Sequence, residues 1–144
     1  MMRLSMTALV LMILLMASGC SRNARPAAGA EAEEEAIART EFTERIENFF
    51  EYEPLKAGKP SQFLIHLTDL SDGTPVEKAE VTVAIRPKGG GAEAAQTKAR
   101  VGKVTGIYVA DVTIPRPGDY DLEFHIKNAK LDERLPLSDF NVKK

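Results

Sequence analysis

A chain of 144 residues allows one domain of ordinary size with room at its ends for targeting and tethering, and leaves no space for a second. The formal net charge is −2, and Arg3 is the only charged side chain before Cys20, so 18 of the 19 basic residues face 21 acidic ones in the remainder. That balance gives no clustered basic surface to release phosphate counterions, which excludes nucleic acid as a partner.

The first element in chain order is a targeting segment. Arg3 supplies a short positive start, Ala8 to Met16 is an unbroken apolar run of nine residues, and Ala17, Ser18 and Gly19 are small. This is a signal-peptide pattern. The run is shorter than the roughly 20 apolar residues that a transmembrane helix needs. Ala17-Ser18-Gly19-Cys20 resembles the lipobox of bacterial lipoproteins, with Ala17 standing where Leu is commoner. The resemblance implies cleavage after Gly19, diacylation of the Cys20 thiol and acylation of the new amino terminus. An ordinary secretory cleavage site is the alternative for the same residues. Each buried methylene contributes about 0.8 kcal/mol, so several acyl chains would make a lasting membrane anchor. Ser21 follows where inner-membrane retention would favour Asp, which implies the periplasmic leaflet of the outer membrane.

Residues 20–40 read as a tether, rich in Ala and Glu with scarcely any large apolar side chain to offset its ordering entropy. Glu31 to Arg39 has helical propensity, but an isolated helix that short is marginal in water. Extended at about 3.3 to 3.6 Å per residue, the tether reaches at most about 70 Å.

From residue 41 to 144 the apolar residues alternate instead of recurring at helical spacing. Phe63, Ile65 and Leu67 share a face against Leu64, His66 and Thr68; Val81, Val83 and Ile85 repeat the pattern, as do Tyr120, Leu122, Phe124 and Ile126. Turn signals separate these runs, among them Ser71-Asp72-Gly73, Gly89-Gly90-Gly91 and Pro115-Arg116-Pro117-Gly118. The pattern predicts an all-β, immunoglobulin-like antiparallel β-sandwich of about seven strands, near 44–52, 61–69, 79–86, 96–102, 106–114, 119–127 and 136–142. Tyr120 opens the penultimate strand, where such domains often place a corner tyrosine bonded to nearby backbone. In the first strand Ile46, Phe50 and Tyr52 share a face while Phe49 points the other way. Either a bulge shifts the register or Phe49 is exposed as a candidate partner contact.

The stretch Phe49-Phe50-Glu51-Tyr52-Glu53-Pro54-Leu55, Ala57-Gly58-Lys59-Pro60, His66-Leu67-Thr68-Asp69-Leu70-Ser71-Asp72 and Pro75-Val76, with Gly106-Ile107-Tyr108 and Pro117-Gly118-Asp119-Tyr120 later, is similar to a known module. It resembles the immunoglobulin-like domain on the amino-terminal side of some periplasmic adaptors of resistance-nodulation-division heavy-metal efflux pumps, of the membrane-fusion protein family. More distantly it resembles FixH-like and YtkA-like sandwich domains. The resemblance implies a fold more than an activity, because its residues are those of strands and turns. The helical hairpin, lipoyl-like and barrel domains of full adaptors have no counterpart here. What it implies is an accessory module at the envelope, with an envelope or efflux-pump protein as partner.

Chemistry-bearing residues are few. His66 and His125 are the only histidines and the natural candidates for a metal site. In immunoglobulin order they fall on the second and sixth strands, outward on opposite sheets, so a shared ion is not expected and solvated surface histidines are the favoured reading. The absence of Met after position 16 weighs against a thioether copper site, and the single Cys excludes an internal disulfide. Gly89-Gly90-Gly91 lacks the spacing and following helix of a phosphate loop, and Glu33-Glu34-Glu35 reads as a solvated tether. With no nucleophile elbow and no paired histidines on a helix, neither an enzyme nor a cofactor is expected. A periplasmic metal-binding protein and a structural envelope lipoprotein are the rival readings.

Overall fold

A computed structural model describes residues 34–144, in which no helix is present. The strands are β1 (Ile37–Phe42), β2 (Ile46–Tyr52), β3 (Pro60–Asp69), β4 (Thr74–Pro75), β5 (Glu80–Pro87), β6 (Ala95–Lys98), β7 (Arg100–Val101), β8 (Ile107–Thr113), β9 (Gly118–Lys127) and β10 (Asp132–Val142). They form a six-stranded sheet in the order β1-β2-β3-β8-β7, with β4 paired to β3, and a four-stranded sheet in the order β10-β9-β5-β6. Every pairing between named strands is antiparallel. The chain lays four strands in the larger sheet, two in the smaller, two more in the larger and the last two in the smaller, crossing between the layers three times as a sandwich requires.

Alternation produces this arrangement directly. Along β3, Ser61, Phe63, Ile65, Leu67 and Asp69 are buried while Gln62, Leu64, His66 and Thr68 are not. Along β9, Tyr120, Leu122, Phe124 and Ile126 are buried against half-exposed Asp121, Glu123 and His125. A period of two can bury only one face of each sheet, so two sheets stack and share the interior. Aromatic rings fill its middle: Tyr52 stacks on Phe63 with centroids 4.9 Å apart, and Phe50 meets Phe124 of the opposite sheet at 5.0 Å. Tyr120 is a corner tyrosine, its hydroxyl donating to the Arg116 carbonyl at 2.9 Å.

Three expectations are corrected by the coordinates. The helical tendency assigned to Glu31 to Arg39 gives way to strand β1 from Ile37 onward, so the sandwich starts inside the stretch read as tether. Pairing with β2 supplies backbone partners that a lone short helix would lack. Arg39 adds a clamp across the open side of the sandwich: its guanidinium lies 4.7 Å from the Phe140 ring centroid, and Nη1 donates to the Ser138 carbonyl at 3.2 Å. Second, the expected strand over 96–102 breaks at Ala99, whose amide donates to the Val81 carbonyl, so that β6 joins one sheet and β7 the other. Third, β10 begins at Asp132, earlier than expected, and carries a bulge between Leu137 and Phe140 with Asp139 at φ 70°.

Close approach also fixes Gly106. It has φ +80°, and a Cβ there would lie 2.6 Å from Pro75 Cβ, so any side chain would push β4 off the turn before β8.

One core position is polar without a partner. Asn48 of β2 faces inward at 0 % exposure, and neither Oδ1 nor Nδ2 has a hydrogen-bond partner among the described residues. A buried amide left unpaired carries its desolvation cost in full, whereas an apolar side chain of like shape does not. Asn48→Leu should therefore raise the stability of the fold by about 1 to 2 kcal/mol in urea denaturation. A midpoint below that of the wild type would show that the amide is bonded in solution.

Candidate interaction surface

The outward faces of the two sheets differ in chemistry. On the smaller sheet, charges are paired across strands: Arg134 with Glu123 at 2.6 Å, Lys98 with Glu80 at 2.6 Å, and Lys127 with Asp132 at 2.8 Å. His125 belongs to this lattice, its Nε2 2.7 Å from Asp132 Oδ1. Lys127, with His125 second, holds the Asp132 carboxyl well below the ordinary range, at about 2. A face whose charges are already matched to one another is a solvated face.

The larger sheet presents something else. Phe49 on β2, His66 on β3 and Ile107 on β8 stand side by side in register, and Leu64 and Val109 form the adjacent row. All five are half-buried by their neighbours. Phe49 meets His66 edge-to-face with centroids 5.2 Å apart. Beyond them a groove of about 440 Å³ runs along Leu64, Gly102, Val104, Ile107 and Val109. Val101 and Val104 at its rim are 66 % and 61 % exposed, and Phe42 on β1 is 59 % exposed. Contiguous apolar surface of this kind marks an interaction site more often than chance exposure does.

Charges border the patch on two sides. Glu47 and Glu51 lie outward on β2; Arg100 lies on β7 with Lys103 just after it. Arg100 also pairs with Asp111 at 2.6 Å, and Gln62 donates to the same carboxylate at 3.0 Å. The hydrogen bond from Gln62, and after it the bond and charge of Arg100, hold the Asp111 carboxyl below its ordinary pKa.

A second concavity of about 550 Å³ opens at one end of the sandwich between Val76, Glu77, Lys78, Lys130 and Leu131. Its polar groups are turned on one another: Asn128 Nδ2 donates to the Glu77 carbonyl at 3.0 Å, and Asp72 accepts from the Thr74 amide at 3.0 Å.

The residues singled out from the sequence fall as follows. His66 and His125 sit on the outer faces of different sheets, so they do not converge. Among the described residues no group of three or more His, Cys, Asp and Glu is placed to hold a metal ion. Neither imidazole is the freely solvated group expected: His125 is hydrogen-bonded to Asp132 at 2.7 Å, and His66 has its Nε2 buried without a partner among the described residues. Phe49 points outward with no bulge, since β2 keeps an unbroken register with both neighbours, but it is half-buried against His66 instead of exposed. Cys20 lies outside the described residues. Leu64, Ile107, Val109 and Gly102 escaped the sequence reading because one apolar residue on an outward position is ordinary, and only the strand register shows that they adjoin.

Fold and surface together define an immunoglobulin-like sandwich with one outer face laced by charge pairs and the other carrying an apolar patch with charged margins. The family model of YtkA-like domains matches residues 40–125, and the chain belongs to the YtkA-like family. No curated protein matches the chain. Membership fits an accessory module of the cell envelope.

Proposed function

We propose that this chain is a non-catalytic accessory module, anchored to the envelope through lipidated Cys20, that works by docking a protein on the outer face of its larger sheet. The observation that carries the reading is the contrast between the two outer faces: one neutralised by ion pairs, the other apolar around Phe49, Leu64, His66, Ile107 and Val109. Burial of such a patch against a partner is the ordinary source of association energy. The similarity to the adaptor module supports a setting beside a resistance-nodulation-division metal efflux system on the periplasmic side of the outer membrane.

Metal tolerance of cells tests both parts of this reading. Deleting the chain should lower tolerance, Phe49→Glu should reproduce the deletion, and Thr82→Glu on the opposite outer face should leave tolerance intact. If deletion has no effect the efflux setting falls. If Phe49→Glu behaves as wild type while deletion does not, the face assignment falls.

A further inference from the structure

The geometry points to a second copy of this chain as the partner of the larger sheet's outer face, in a two-fold dimer whose axis runs parallel to the strands between β3 and β8. The inference rests on the reading that this face docks a protein, and it names that protein.

Register across the sheet makes the face self-complementary. At one level lie Phe49, His66, Ile107 and Gly102, the last fixed there by the hydrogen bond its N–H donates to the Ile107 carbonyl at 2.7 Å. At the next level lie Glu51, Leu64, Val109 and Arg100. A two-fold axis between β3 and β8 exchanges β3 with β8 and β2 with β7 while keeping each level. Leu64 then meets Val109 of the other copy, and His66 meets Ile107. Glu51 faces Arg100, which already holds Asp111 of its own chain at 2.6 Å and would be shared between the two carboxylates, with Lys103 adding to the basic side of β7. Phe49, the largest apolar side chain on the face, falls opposite Gly102, which lines the groove and carries no side chain of its own, with the Ile107 side chain beside it. Gln62, one level further, faces Asp111, its own intramolecular partner at 3.0 Å. A patch whose two margins carried one sign would repel its copy at this axis; here each margin meets its opposite.

The charge-paired face of the smaller sheet has no such logic, and a lipid surface would call for a uniformly basic margin, which Glu47 and Glu51 deny. Two chains confined to one membrane would also meet at a raised effective concentration, so a modest interface suffices.

Two measurements on the full chain decide the matter. In detergent, sedimentation should show a dimer whose dissociation constant rises about tenfold or more in Glu51→Lys and likewise in Arg100→Glu, and returns toward wild type when the two are combined. Failure of the double variant to recover, with the wild-type melting temperature retained, overturns the proposed pairing. A photo-crosslinking amino acid at position 49, activated in membranes, should give an adduct of twice the chain mass joined near Gly102. An adduct to a different protein overturns the dimer while leaving the docking reading in place. The absence of any adduct overturns both.

Discussion

Phe50→Ala should destabilise the protein by about 3 to 5 kcal/mol, a large share of the 5 to 15 kcal/mol that holds a domain of this size. Phe50 is fully buried and bridges the layers, stacking toward Tyr52 and Phe63 within its own sheet and meeting Phe124 across the interior. Truncation removes its transfer energy and leaves a cavity walled by three rings that cannot collapse, because each is pinned by its own strand. The neighbouring Phe49→Ala removes a ring of the same size from the outer face and should cost about 1 kcal/mol or less, since little cavity forms there. Urea denaturation of both variants gives the comparison. Equal costs would mean that the faces of β2 are assigned the wrong way round.

The second large effect comes from a hydroxyl. Tyr108 of β8 is buried, its Oη donates to the Val76 carbonyl at 2.8 Å, and it accepts the Ala79 amide at 3.1 Å. One atom thus satisfies both ends of the Val76 to Ala79 connection, in which Lys78 takes a left-handed φ of 51°. Tyr108→Phe keeps the ring and strands a buried carbonyl and an amide, for a loss of about 2 to 3 kcal/mol. Tyr120→Phe, which frees only the partly buried Arg116 carbonyl, should cost about 1 kcal/mol. Hydrogen exchange adds a local readout: the Ala79 amide should lose protection in Tyr108→Phe more than amides in β9 do. Unchanged protection there, with an unchanged urea midpoint, would remove Tyr108 from this role.

Much of the sandwich was legible in the sequence because its signal is local. Phe63-Leu64-Ile65-His66-Leu67 and Tyr120 through Ile126 state their in-and-out pattern within a few residues, and Gly and Pro clusters mark where each run stops. What resisted reading depends on partners distant in the chain. Ile37 to Phe42 contains too few large apolar residues to announce a strand; it becomes one only because β2 leaves an edge open and Arg39 finds Phe140 about a hundred positions away. Ala99 gives no sign that the chain crosses between sheets there. The outer patch was half visible: Phe49 stood out for breaking an apolar alternation, whereas Ile107 and Val109 hide in a continuous apolar run with Tyr108 and Ala110. Their adjacency to Leu64 and His66 is set by pairing register, which no single strand encodes.

The margins of the two sheets carry a consequence for self-assembly of another kind. Along β10, Pro136 offers no amide hydrogen and the kink at Leu137 to Phe140 bends the strand, while β6 and β7 span only four and two residues. Among the described residues this leaves β1 as the one straight rim of any length where a foreign strand could be zipped on. Strand-on-strand extension of the folded sheets needs two open edges per molecule, so pairing along β1 alone joins two copies and stops there.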